Sequence, residues 1–226
     1  RRTANKAAMT DSDDTEKPVF DAAFRNKLAE LFAWRRDVRR FRPDPVAPAL
    51  LHDLLRQASL APSVGFSQPW RFVLVDDPDR REAIARNFET ENARALATYS
   101  GEAAEQYARL KLSGLREAPV HLAAFAEMDP VRGYGVGRQT MPETVPYSVV
   151  TAVYTFWLAA RAAGVGVGWV SILDPESAAR TLDVPEGWRL VAYLCVGYPA
   201  ETHSDPELER YGWESRVAIE DCIYRR

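Results

Sequence analysis

The chain has 226 residues, 46% hydrophobic and 27% charged, with 29 basic against 32 acidic side chains and a net charge of -3. A chain of this length closes one core without staples, and its near-balanced charge excludes a generally basic nucleic-acid coat and a polyanionic tail. Cysteine occurs only at Cys195 and Cys222, which excludes a disulfide framework and a four-thiolate zinc site.

No apolar run reaches the roughly 18 to 20 residues that span a bilayer. The opening stretch, residues 1–20, is polar and lacks the apolar segment of a secretory signal. It reads as a disordered leader with Met9 a candidate start, and the expectation is a soluble, cytoplasmic protein with neither membrane nor nucleic acid as partner. The remainder, residues 21–226, reads as a single domain.

Phe24, Leu28, Leu31 and Phe32 repeat at helical spacing behind Asp21, an N-cap residue, and predict a helix over 21–34. Pro48 suits a first helical position and opens a second helix burying Leu50, Leu51, Leu54, Leu55 and Ala58. Arg71 to Val75 reads as a strand. Two polar helical stretches follow, over 78–98 and 101–116, and their composition suggests an exposed pair that covers something rather than a core layer. Val120 to Ala126 is the next strand. Residues 127–145 carry Gly133, Gly135, Gly137, Pro130 and Pro142 without a period, so a long loop is expected, of the kind that is more often functional than accidental.

Tyr147 to Ala163 is apolar nearly all round and predicts a buried central helix. Val165 to Ile172 and Leu190 to Val196 read as interior strands, with Asp174 and Pro175 opening a short helix between them. Helices alternating with short strands argue a mixed helix-and-sheet domain. The tail over 199–226 keeps Tyr211, Trp213, Val217, Ile219, Ile223 and Tyr224. It either docks on its own subunit or wraps around a second copy.

Arg35, Arg36, Arg39, Arg40 and Arg42 place five guanidiniums within eight residues. One reading is a solvated helix end, where cations favour the dipole; the other is a phosphate clamp, since arginine's planar fork binds phosphate oxygens bidentately. Nucleic acid is the weaker alternative, because no stacking platform accompanies the cluster. Ala61 to Trp70 offers hydroxyls, an amide, a glycine and two aromatics, suited either to a flat heterocycle with hydrogen-bonding edges or to an ordinary turn. Gly164, Gly166 and Gly168 follow a helix and precede a strand, the reverse of a dinucleotide fingerprint, so a nicotinamide-binding unit is rejected. These glycines are expected to cap the central helix and let the next strand approach something flat. His52, His121 and His203 lack metal-ligand spacing, and Cys195, in an apolar strand, reads as an inert core thiol.

Together these segments resemble the FMN-dependent nitroreductase superfamily from about Phe24 to Ile219. The family's opening motif, Arg-Arg-Ser-x-Arg, is matched by Arg35-Arg36-Asp37-Val38-Arg39. Its Pro-Ser-Ser-x-Asn-x-Gln-Pro-Trp is matched by Pro62-Ser63-Val64-Gly65-Phe66-Ser67-Gln68-Pro69-Trp70, and its late Gly-x-Gly segment by Gly164 to Ser171. Asp37 stands where the family keeps a serine, and Phe66 where it keeps an asparagine. Those departures are similar to the branch whose members fragment reduced FMN with oxygen into 5,6-dimethylbenzimidazole, the lower ligand of vitamin B12. That branch is also matched at Ala61 to Phe66, Leu158 to Ala162 and Gly166 to Ser171.

The resemblance implies an α+β fold with a mixed or antiparallel central sheet flanked by helices, in an intertwined homodimer with FMN at the subunit interface. It implies that Arg35, Arg36, Arg39 and Arg216 hold the phosphate, with Val38 among them, and that Ser63, Ser67 and Gln68 edge the flavin. Residues 78–116 become a lid from which Leu112 faces the ring. FMNH2 is then consumed as substrate with O2 as cosubstrate, erythrose 4-phosphate leaves as coproduct, and a separate flavin reductase supplies FMNH2 from NAD(P)H.

Abstraction of a hydrogen at the ribityl C1′ calls for a base, and Asp37 either serves as that base or only orients the chain. Its neighbouring arginines are expected to hold its pKa down. Ser171 either hydrogen-bonds the flavin near N5 or ends its strand bonded to backbone. The alternatives are an NAD(P)H-dependent FMN nitroreductase and a non-catalytic flavin-storage dimer.

Overall fold

In this computed structural model the described residues are 17–226, so the expectation of a disordered leader lies almost wholly outside them. The first helix, α1 (Ala22–Trp34), starts where Asp21 accepts a hydrogen bond from the Phe24 amide. Pro48 opens α2 (Pro48–Ala58). The strand β1 (Trp70–Leu74) is followed by α3 (Pro78–Leu96), capped by Asp77, and α4 (Gly101–Arg109). Then come β2 (Val120–Glu127), α5 (Thr144–Ala162), β3 (Gly166–Val170), α6 (Pro175–Thr181) capped by Asp174, β4 (Trp188–Gly197) and the one-turn α7 (Glu207–Arg210).

The four strands form one antiparallel sheet in the order β1-β2-β4-β3. Side chains alternate across it, as the two-residue period of a strand requires. Leu122, Ala124 and Ala126 of β2 and Ala192, Leu194 and Val196 of β4 join α2 and α5 in one core. Ala123, Phe125, Tyr193 and Cys195 face the other way, into a second core with Phe41, Ile84 and Ala178. The expected α+β architecture is therefore observed.

The structure differs from the expectations at four points. Helix α5 begins at Thr144, ahead of Pro146, because amides in a first helical turn have no intrahelical partner and proline costs little there. Helix α4 stops at Arg109 instead of reaching Arg116: Leu110 turns extended, and Gly114 lies against the Phe41 ring so closely that a Cβ would sit 2.4 Å from it. The α3–α4 pair is not purely a cover, since α3 buries Ile84 in the second core and Ala85 is buried next to it in sequence. Finally, α5 buries only one face within a single chain. Tyr147, Val150 and Tyr154 remain 56%, 39% and 43% exposed, and no residue of α1 is buried.

Gly164 ends α5 with φ +75°, and the Val165 and Gly164 amides reach back to the carbonyls of Ala160 and Arg161. That is the glycine-terminated helix end expected of this position. Beyond β4 the tail docks on its own chain at Trp213, which packs edge-on against Tyr99 and Tyr107, at the α3–α4 turn and in α4, with ring centroids 5.5 and 6.0 Å away, while Val217, Ile219, Ile223 and Tyr224 stay exposed.

Candidate active site

The arginine-rich segment after α1 runs along the β3 edge of the sheet. The Val38 amide donates to the Val167 carbonyl at 3.0 Å, Asp37 and Val167 form a parallel bridge, and the Ala200 amide donates to the Arg40 carbonyl at 2.9 Å. Gly168 permits this approach, because a Cβ there would stand 2.1 Å from the Val38 carbonyl oxygen. What the glycine strand admits, in the structure, is thus the Asp37–Val38 backbone, and a Val38 methyl packs on Gly166 in the same way.

Asp37 is held at both oxygens. Oδ1 accepts the Trp169 backbone N–H at 2.8 Å and Oδ2 accepts the Arg39 Nε–H at 2.8 Å. Its side chain is 29% exposed. Burial pushes its carboxyl above the usual carboxylate range, against the pull of Arg39, the Trp169 amide and Arg35. This corrects the expectation that the arginines would hold it low: desolvation outweighs them, because only one of them touches it. A carboxylate so placed keeps more basicity than a free aspartate.

The five clustered arginines part company. Arg40 is taken by Glu201 and Glu207 at 3.1 and 2.9 Å, and Arg42 by Asp44. Arg39 spends Nε on Asp37 and Nη1 on the Lys111 carbonyl, 2.8 Å away. Arg35 lies over the Trp157 ring, 4.7 Å from its centroid, and Arg36 donates to the Ala33 carbonyl. Yet the Nε atoms of both Arg35 and Arg36 are buried with no hydrogen-bond partner among the described residues. Burial and the charges of Arg35 and Arg216 weaken the hold of Arg36 on its proton. This corner has an excess of positive charge and spare donors, which an anion would satisfy.

The Pro62–Trp70 turn is built from α5. The Val64 amide donates to Ser148 Oγ at 3.0 Å, and Thr151 Oγ1 donates to the Pro62 carbonyl at 2.9 Å. Inside the turn the Gln68 amide donates to Ser63 Oγ at 3.0 Å. Phe66 and Gln68 both sit in the left-handed region, at φ 54° and 49°, a cost that side-chain-bearing residues meet only where the surroundings impose it. Part of that imposition comes from the glycine loop over 127–143: a Cβ on Gly133 would lie 2.7 Å from the Gly65 carbonyl oxygen. Ser67 is 2% exposed, and its hydroxyl is without a partner among the described residues.

Helix α5 also grips the arginine segment, through the Trp157 indole N–H donating to the Arg36 carbonyl at 3.3 Å. Its two anchor points, Ser148 and Trp157, are about 13 Å apart along the axis at 1.5 Å per residue. Tyr147-Ser148 is among the stretches that match the resemblance, whereas Thr151 is not singled out by the sequence; its one signal is a hydroxyl on a largely apolar helix. Of the other expected site residues, Leu112 is half-buried and follows Lys111, Ser171 is exposed just past β3, two residues beyond the Trp169 amide that holds Asp37, and Arg216 lies on the exposed tail within electrostatic reach of Arg36. Cys195 is fully buried, its thiol pushed up to about 12 by burial.

Residues 32–198 match the sequence model of the nitroreductase family. The chain belongs to the nitroreductase family. It is 57% identical, over 88% of its own length and 94% of the other's, to 5,6-dimethylbenzimidazole synthase of Rhodospirillum rubrum. It is 45% identical to the 5,6-dimethylbenzimidazole synthase of Rhodobacter capsulatus, over 89% of this chain and 97% of that one. Among solved structures it is similar to an iodotyrosine deiodinase bound to FMN and 3-iodo-L-tyrosine, with TM-score 0.66 and 28% identity over 78% of this chain and 91% of that one. A BluB-like flavoprotein from Clostridium difficile shares the fold at TM-score 0.65 and 20% identity, over 88% of this chain and 98% of that one. The family's fold is thus present here.

Proposed function

We propose that this chain is a 5,6-dimethylbenzimidazole synthase that takes reduced FMN as its substrate and fragments it with O2, releasing erythrose 4-phosphate as coproduct. The observation that carries the reading is Asp37: a carboxylate of raised proton affinity, fixed at both oxygens, beside two arginines whose buried Nε atoms have no partner among the described residues. The 57% identity to the Rhodospirillum rubrum synthase over nearly the full length of both chains supports it.

The residues present fit FMN. The spare donors of Arg35 and Arg36, with Arg216 nearby, suit its phosphate, and the unpartnered Ser67 hydroxyl, with Ser63 and Gln68, suits the hydrogen-bonding edge of its ring. When bound, reduced FMN supplies the electrons that reduce O2 and the ring and ribityl carbons that become product. The chain's own part is to hold, orient and accept a proton. Asp37 receives the proton lost from the ribityl C1′, and the Trp169 amide keeps the carboxylate aimed while it does so. Ser171 donates from the end of β3 toward the reacting part of the ring. Leu112, on the chain leaving α4, helps keep water out from the side of the proposed lid over 78–116.

A homodimer completes the site in this proposal. The exposed stripe of Tyr147, Val150 and Tyr154 on α5 and the unburied apolar residues of α1 form the face that a second copy would cover, with the tail over 199–226 adding to it. Among the described residues no helix is long and apolar enough to cross a membrane. Reduced FMN reaches the site from a separate reductase that uses NAD(P)H, which places the proposed reaction in the cytoplasm.

The test is to mix the protein anaerobically with FMNH2, admit air and separate the products. Dimethylbenzimidazole should accumulate in step with flavin loss. Intact FMN after many turnovers, or rapid NAD(P)H-driven reduction of a nitroarene, overturns the assignment.

A further inference from the structure

Arg39 sits in the motif that the resemblance gives to the FMN phosphate, yet its geometry differs from that of its neighbours. Arg35 and Arg36 carry buried, unpartnered Nε atoms. Arg39, with a side chain only 12% exposed, has its Nε on Asp37 Oδ2 and its Nη1 on the Lys111 carbonyl, both at 2.8 Å. Lys111 lies on the stretch between the end of α4 at Arg109 and Gly114, the residue pressed against Phe41. One rigid guanidinium therefore spans 72 residues of sequence, from the carboxylate to the chain that leaves the α3–α4 pair.

We propose that Arg39 is a positioning residue, which fixes the Asp37 carboxylate and couples its orientation to the seating of residues 110–114. The inference rests on the reading of Asp37 as the proton acceptor. Two fixed donors, the Trp169 amide on Oδ1 and Arg39 on Oδ2, leave the carboxylate one orientation. Of these, only the second is tied to a segment outside the sheet. When 110–114 is seated, the Lys111 carbonyl holds the guanidinium in the plane that meets Oδ2; when it lifts, that guide is lost and Asp37 regains rotational freedom. The proton acceptor is then at its best only under a closed cover, when water is excluded. The charged and titratable groups facing Asp37 are Arg39, Arg35 and the buried Cys195 thiol, and Lys111, whose carbonyl accepts from Arg39, has its side chain paired with Glu117.

The experiment uses FMN-free protein with two readouts: the titration midpoint of the Asp37 carboxyl by carbon-13 NMR, and hydrogen exchange of amides 110–118. Arg39→Met should move the midpoint to higher pH by about one unit or more, the scale of losing a touching opposite charge. It should also speed exchange in 110–118 at least tenfold. Arg39→Lys should keep most of the midpoint, since a cation remains, but not the protection, since an ammonium lacks the fork that reaches both acceptors. In the unaltered protein, protection of 110–118 should fall as Asp37 is protonated, a readout that needs no variant to fold.

Exchange in 110–118 indifferent to both Arg39 and the protonation of Asp37 overturns the coupling. An unmoved midpoint, joined to a loss of inorganic phosphate affinity as large as that of Arg36→Met, assigns Arg39 to the phosphate instead. Both readouts are independent of turnover, so a failure of dimethylbenzimidazole synthesis and a failure of this coupling are told apart.

Discussion

His121 lies in β2 opposite Cys195 of β4, one strand removed from Gly168 and the Asp37 bridge, and it is 2% exposed. Its Nδ1 is 2.9 Å from the Tyr193 hydroxyl. Burial, aided by the positive charge of Arg81, lowers its pKa from the ordinary 6.5 to about 4. Below pH 6.5 the unfolded chain therefore takes a proton at this residue that the folded chain refuses until about pH 4. The stabilisation is whole above the unfolded value and is lost as the pH falls toward the folded one. The gap is worth about 3 kcal/mol at 1.36 kcal/mol per unit. Urea unfolding of the wild type and of His121→Gln, each at about pH 7 and about pH 4, isolates it. The glutamine can still accept the Tyr193 hydrogen bond but cannot take the proton. The variant should be less stable at neutral pH through imperfect packing, yet its loss between the two pH values should be smaller than the wild type's by about 3 kcal/mol. Equal losses in the two proteins would refute the claim that this buried ring resists protonation.

Four further outcomes follow from the site. Asp37→Asn should lower dimethylbenzimidazole formation by about 10²–10⁴-fold, the usual range for removing a general base, while FMN binding stays within a few-fold, because the amide oxygen still accepts the Trp169 N–H; undiminished turnover removes the proton-acceptor role. Ser67→Ala should weaken FMN binding by about 1 kcal/mol, five- to tenfold, and leave the melting temperature of the FMN-free protein unchanged or higher, since the hydroxyl it deletes is buried and unpartnered there. Gly168→Ala should destabilise the fold by about 2–4 kcal/mol and abolish FMN retention, because a Cβ 2.1 Å from the Val38 carbonyl must push the arginine segment off β3; near-wild-type stability by calorimetry counts against that packing. Val150→Asp, on the exposed stripe of α5, should give a monomer by sedimentation with weakened FMN binding, and an unchanged dimer excludes that stripe from the interface.

Much of this protein was legible in its sequence wherever the physics is local. Asp21, Asp77 and Asp174 accept from amides two or three residues on, Pro48, Pro78 and Pro175 sit at the helix starts they suit, and Gly164 takes the left-handed conformation that ends α5. Those effects act within a few residues, so the order of residues along the chain is enough to state them. The three motifs that mark the family are read the same way, as is the buried run of β4. Only the tertiary structure could sort the arginines. Arg39 finds a carbonyl 72 residues away and Arg40 a carboxylate 167 residues away, while Arg35 and Arg36 keep their Nε atoms unpaired. The same holds for the stretch after α4, where Gly114 meets Phe41, and for Asp37, whose carboxyl shifts up where its neighbours alone would shift it down. Burial and Coulomb forces depend on distance through space, and the fold alone sets which distant groups come within 3 Å.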